Sequence, residues 1–158
     1  MEERLSILVG TMTGTAQLVA EEVSDALKAQ GVAADIQVMD GLDASVFASG
    51  RAFLICSSTY GQGDVPDNAQ RLFADLEQKK PDLSRIVYGV IALGDRTYAQ
   101  TFCFGGKRFD TLLQSLGARR IGEIMLHDAS AGTIPEEVAV EWLGPWLDQF
   151  REARDEAA

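Results

Sequence analysis

Histidine and cysteine are nearly absent from this chain, proline is sparse, and basic residues are outnumbered. It has one His, two Cys, four Pro and 14 Lys/Arg against 24 Asp/Glu in 158 residues. Each shortage removes a class of function. Cys56 and Cys103 stand in different neighbourhoods, with no Cys-x-x-Cys pair and no Cys/His cluster, so neither a zinc site nor an iron–sulfur cluster is expected. Cys56 ends an apolar run and reads as a small core residue. A net charge of −10 argues against nucleic acid, which needs a basic footprint, and against an anionic membrane surface. No apolar run approaches the length that spans a bilayer. The opening Met1-Glu2-Glu3-Arg4 is acidic and leads into a run too short for a signal peptide, so a cytoplasmic location is expected.

What is present is an ordinary globular composition, 46% hydrophobic, enough for one domain with a full core. Strand and helix patterns alternate from end to end. The runs Leu5–Val9, Ala33–Met39, Ala52–Cys56, Ile86–Leu93 and Arg119–Leu126 predict strands, and most are continuously apolar, as in strands covered on both faces. Between them, Ala16, Val19, Ala20, Val23 and Leu27 predict one amphipathic helix, ending near Gly31. Ala69, Leu72, Phe73 and Leu76 predict a second, and Phe109, Leu112, Leu113 and Leu116 a third, ending at Gly117. A last helix starts near Pro135 and carries Trp142 and Trp146 as core anchors, with a kink at Gly144-Pro145. The Asp40–Ser49 connection has room for a turn of helix. Residues 151–158 are expected to fray, leaving a domain of residues 4–150. The alternation implies a doubly wound, five-stranded parallel sheet of α/β class.

In such a sheet the ligand lies beyond the carboxyl ends of the strands, at the switch point of strand order. The unusual residues of this chain fall there. After the first strand, Gly10-Thr11-Met12-Thr13-Gly14-Thr15-Ala16 opens a helix with hydroxyls and a glycine. A helix N-terminus offers outward amides and a favourable dipole, so this turn suits a single phosphate; it also reads as a simple capped helix start. The Gly-Lys-Ser/Thr ending of a triphosphate loop is missing. After the third strand, Ser57-Ser58-Thr59-Tyr60-Gly61-Gln62-Gly63-Asp64 is polar and glycine-punctuated, with an aromatic near its tip. After the fourth, Leu93-Gly94-Asp95-Arg96-Thr97-Tyr98 repeats the theme. Two tyrosines beside a phosphate cradle suggest a sandwich around a flat heterocycle with a phosphate tail. A phosphorylated receiver module would need carboxylates at the ends of strands one and three for Mg²⁺. Those ends read Val9-Gly10-Thr11 and Cys56-Ser57-Ser58, which excludes it.

Three segments, Thr-x-Thr-Gly-Thr-Ala (11–16), Ser-Ser-Thr-Tyr-Gly-x-Gly-Asp-x-Pro-Asp-Asn (57–68) and Leu-Gly-Asp-x-x-Tyr…Phe-Cys-x-x-Gly-Lys (93–107), resemble the flavodoxin superfamily. The likeness is to the FMN domains of sulfite reductase and cytochrome P450 reductase, and more nearly to MioC-type short-chain flavodoxins. It implies a strand order of 2-1-3-4-5 and FMN as cofactor. By that resemblance Thr11, Met12, Thr13, Gly14, Thr15 and Ala16 hold the phosphate. Ser58, Thr59, Tyr60, Gly61 and Gly63 line one side of the isoalloxazine, and Leu93, Gly94, Asp95 and Tyr98 the other, with Phe102 and Cys103 near the ring edge. Gly61 would supply the peptide that turns its carbonyl toward reduced flavin N5. Met12 stands where the family commonly has a polar residue, and no long insertion interrupts the fifth strand, as in short-chain members.

FMN carries its own redox chemistry, so no catalytic acid, base or nucleophile is required. Asp64, Asp67, Asp95 and Asp128 are candidates for an acidic field that disfavours added electrons, or are merely surface carboxylates. His127 reads as a solvent-facing or capping residue, against the alternative of a redox-linked proton role. The resemblance implies a monomeric electron carrier, fed by an NADPH-dependent flavodoxin reductase and discharged by a basic-surfaced redox acceptor protein. The alternative is an FMN-dependent NAD(P)H:quinone-type oxidoreductase.

Overall fold

A strand covered on both faces needs apolar residues at every position rather than alternate ones, and the central strands of this chain meet that demand. The computed structural model describes residues 4–11, 14–59, 65–94 and 103–157. In it β1 (Arg4–Gly10), β3 (Ala52–Ser57) and β4 (Val87–Gly94) are buried along nearly their whole length. With β2 (Ala33–Val38) they form a parallel sheet in the order β2-β1-β3-β4. The edge beyond β4 is filled by two short strands, β5 (Arg119–Arg120) and β6 (Met125–Asp128), both parallel to β4. The order expected from the resemblance is the order observed.

Helices cover both faces. On one, α1 (Thr15–Ala29) and α4 (Pro135–Ala157) enclose Ile7, Val9, Leu54, Cys56 and Ile91. On the other, α2 (Asp67–Lys79), α3 (Phe104–Ser115) and a 3-10 turn at Ala44–Ala48 enclose Leu8, Phe53, Ile55, Tyr88 and Val90. The odd–even split of β3, Leu54 and Cys56 against Phe53 and Ile55, is the period-two alternation of a strand. Gly89 sits in mid-strand because Trp146 lies against it. A Cβ there would meet the indole Nε1 at 2.5 Å and Leu54 Cδ2 at 2.8 Å.

The fifth strand departs from the continuous run expected over Arg119–Leu126. It breaks at Gly122, whose φ of 66° takes the chain out of extended conformation. The break turns two carbonyls away from the ladder, and the indoles of α4 accept the task of pairing them. Trp146 Nε1 donates to Ile121 O at 2.9 Å and Trp142 Nε1 to Glu123 O at 3.2 Å. Two tryptophans one helical turn apart thus serve as core anchors and as donors to the interrupted strand.

Helix α4 passes through Pro145 uninterrupted and continues to Ala157, through the segment expected to fray. The apolar spacing Leu143, Trp146, Leu147, Phe150, Ala153 runs on past residue 150, and Arg151 Nη2 donates to Gln30 O at 3.0 Å. Near the amino end of β4, Asp110 of α3 accepts from Tyr88 Oη at 2.6 Å and from Arg120 Nη1 at 2.6 Å. Gln114 Nε2 donates to both its oxygens, at 3.0 and 3.1 Å. Burial, reinforced by the Asp110 carboxylate, pushes the Tyr88 phenol well above its ordinary pKa, so it stays a donor. This cluster ties β4, α3 and β5 together at the end of the sheet opposite the loops of interest.

Candidate functional site

The carboxyl ends of β1, β3 and β4 lie at one edge of the sheet because parallel strands deliver all three to the same side. The Ser58 N–H donates to Gly10 O at 2.9 Å, joining the first two. Thr59 Oγ1 donates to Leu93 O at 3.0 Å, joining the second to the third. The two stems of the third loop touch: a Cβ on Gly94 would meet Cys103 N at 2.5 Å.

At the start of α1, Gly14 is the N-cap residue in left-handed conformation (φ 90°) and, having no side chain, caps none of the amides. Leu18 N–H is the one that reaches back to Gly14 O, at 3.1 Å, so the amides of Thr15, Ala16 and Gln17 precede the helical ladder. The first turn holds no acidic residue. An acid-free helix start whose N-cap has no side chain is a fitting seat for a phosphate, neutralised by dipoles rather than by a cation. The residues present therefore fit FMN at this edge.

Of the expected site residues, Thr11, Gly14, Thr15, Ala16, Ser58, Thr59, Leu93, Gly94 and Cys103 are brought to this one edge. Met12, Thr13, Tyr60, Gly61, Gly63, Asp95, Tyr98 and Phe102 lie outside the described residues, as do Asp64 and Arg96. Cys103 is fully buried, with Sγ 3.3 Å from Ala92 O and 3.6 Å from His127 O. Asp128 accepts from Ser130 N and Oγ at 2.9 and 2.7 Å and so caps a short 3-10 turn. Lys107 lies over the Phe104 ring, 5.5 Å from its centroid.

Two residues play parts that the pattern of the sequence did not assign. Asn68, in the first turn of α2, accepts the Thr11 N–H on Oδ1 at 2.9 Å and donates from Nδ2 to Asp40 Oδ1 at 2.9 Å. It holds the Thr11 peptide where β1 leads toward α1, while Thr11 Oγ1 accepts from Gly14 N at 2.9 Å. The signal was present: a polar amide where only a helix start was needed. Of the two readings of His127, solvent-facing or capping, burial overturns the first. The residue is 5% exposed, and its Nε2 lies 3.0 Å from Thr133 Oγ1, because its place in β6 points it under the 129–133 connection.

Cys56 Sγ donates to Ala16 O at 3.3 Å beneath the same helix start, and burial pushes its thiol up to about 12. Neither cysteine should react with a disulfide reagent in native buffer at pH 8, and labelling should keep pace with global unfolding. Rapid labelling of either would contradict this packing. The sign at alkaline pH follows: the folded pKa of Cys56 is raised, so the unfolded thiol ionises first. Stability should therefore fall as pH climbs from about 9 towards about 12.

A family model described as Flavodoxin matches residues 7–142. The flavodoxin YqcA of Escherichia coli K12 is 42% identical over 142 residues, which span 90% of this chain and 95% of that protein. Protein MioC of Escherichia coli O157:H7 is 35% identical over 150 residues, covering 93% and 98% of the two chains. Among solved structures, a mutant flavodoxin from Pseudomonas aeruginosa superposes with a TM-score of 0.84 at 34% identity, covering 94% of this chain and 99% of that one. Sequence, strand order and the seat at the head of α1 agree: the chain belongs to the flavodoxin family, whose members bind FMN and transfer electrons.

Proposed function

We propose that this protein is a single-domain carrier that moves electrons one at a time from an NADPH-dependent flavodoxin reductase to a basic-surfaced redox acceptor protein. The observation that carries this reading is the acid-free head of α1, begun by a glycine with no side chain, beside the carboxyl ends of β1, β3 and β4. Bound FMN supplies the redox chemistry. The chain's own part is to bind and orient. The amides of Thr15 and Ala16 with the Thr11, Thr13 and Thr15 hydroxyls hold the phosphate, and Asn68 keeps the Thr11 peptide in register. Tyr60 and Tyr98 enclose the ring, Gly61 and Gly63 allow the backbone to approach it, and Ser58, Leu93, Gly94, Asp95, Phe102 and Cys103 complete its walls. The net charge of −10 steers encounter with basic partners and weakens with added salt. A monomer in the cytoplasm, with residues 4–150 as the FMN-binding domain, completes the proposal; no described helix is long and apolar enough to cross a membrane.

The test is direct. The purified protein should be yellow, release FMN on denaturation, and consume NADPH appreciably only when a flavodoxin reductase is added. Colourless protein that takes up no FMN would end the flavin reading. Rapid NADPH oxidation with a quinone and no reductase would replace the carrier by an enzyme.

A further inference from the structure

The Thr59 hydroxyl sits at a crossing of three chain segments. Its proton goes to Leu93 O at 3.0 Å and its oxygen accepts the Gly105 N–H at 3.0 Å. Both partners are well enclosed: Leu93 is 6% exposed and Gly105 is buried. A threonine has a single O–H, and here it is spent within the protein, leaving none to donate to a ligand. Gly105 is in the first turn of α3, where amides lack helical partners, and the N-cap Cys103 side chain does not cap them. Thr59 therefore caps a helix distant in sequence. The approach is close enough that a Cβ on Gly105 would collide with Ser58 O. Leu93 and Gly105 stand on the two stems of the 95–102 loop, which carries Tyr98, and Thr59 itself precedes Tyr60 in the chain.

Resting on the flavin-binding reading above, we propose that Thr59 is a positioning residue whose side chain latches the loop after β3 to both stems of the loop after β4. It thereby holds Ser58 and Thr59 against Leu93, Gly94 and Cys103, residues of the flavin site proposed above. Without the hydroxyl, the Gly105 N–H and Leu93 carbonyl lose their partner, and the folded protein spends part of its time with Thr59 parted from these two stems. Ring binding then has to restore the closed arrangement, which lowers affinity by the fraction closed. The phosphate seat belongs to another loop and keeps its contacts.

The experiment compares wild type, Thr59→Val, Thr59→Ser and Gly105→Ala as flavin-free protein titrated with FMN and with riboflavin, followed by flavin fluorescence. Thr59→Val should weaken both ligands by the same factor, about tenfold for one lost, partly buried hydroxyl bridge. Thr59→Ser should return within about twofold of wild type, since it keeps the bridge. Gly105→Ala, with the hydroxyl intact and Ser58-Thr59 forced away from α3, should weaken both at least as much as Thr59→Val. The visible circular dichroism of bound flavin should diminish in Thr59→Val and recover in Thr59→Ser. A lowered Tm in Thr59→Val with unchanged affinities would make Thr59 merely structural and overturn the latch. So would loss for FMN alone. A flavin-free readout keeps the two ideas apart: the Gly105 amide should exchange its hydrogen about tenfold faster in Thr59→Val than in wild type. Equal exchange overturns the latch whether or not flavin binds, whereas wild type that binds no flavin overturns the flavin reading alone.

Discussion

Replacing Thr13 and Thr15 together with valine is expected to weaken FMN by about a hundredfold or more while leaving riboflavin within about threefold of wild type. A hydrogen bond to a charged group is worth about 1.5–3 kcal/mol, so two lost together give about 3–6 kcal/mol. Valine keeps the branched shape of threonine, and the first turn of α1 has no acidic residue whose repulsion could mask the effect. Riboflavin shares the ring and ribityl chain but has no phosphate, so it reports whether the loss is confined to the anion. Isothermal titration of flavin-free protein with both ligands gives the two numbers. An equal loss for both would mean that the phosphate is held elsewhere than at the head of α1.

The second large effect lies at the opposite end of the sheet. Asp110→Ala should destabilise the protein by about 3–4 kcal/mol, because it strands a buried phenol and a guanidinium that both converge on one carboxylate. For a chain of this size, Tm should drop by about 10 °C. The Arg120 side chain is 30% exposed and gains some water when its partner is removed, which keeps the cost below that of a fully enclosed pair. Asp110→Asn keeps an acceptor for Tyr88 and should cost about half as much. In folded protein, FMN affinity should be unchanged by either variant. Urea unfolding checks the first statement, and a cost under about 1 kcal/mol would show that the cluster contributes little.

The elements were legible because their signals are local. Ile7, Leu8 and Val9 read as a doubly covered strand from adjacent letters, and Val19, Val23 and Leu27 read as one helix face from a spacing of four. The strand order was not local information. Alternation of strand and helix dictates a parallel sheet, but the place of β2 outside β1 came from the resemblance carried by three loop motifs. Those motifs also pointed to the edge at which Gly10, Ser58, Leu93 and Cys103 meet.

Other features could not be read from neighbours in the chain. The break in the fifth strand at Gly122 is tolerable only because Trp142 and Trp146, on another element, pair the carbonyls it releases. His127 carries no apolar pattern that would announce burial; its position under residues 129–133 follows from where β6 docks on β4. The bonds of Asn68, Thr59 and Asp110 span 57, 34 and 22 residues respectively.

From its letters alone, then, this protein was determined to be a sheet covered on two sides with a phosphate-suited turn at the head of its first helix. Short-range periodicity and the stereochemistry of glycine and threonine suffice for that. Which polar side chains hold that edge together was decided by tertiary structure, because a hydroxyl, amide or carboxylate can bond with many groups. Only the packed fold brings one of them within 3 Å.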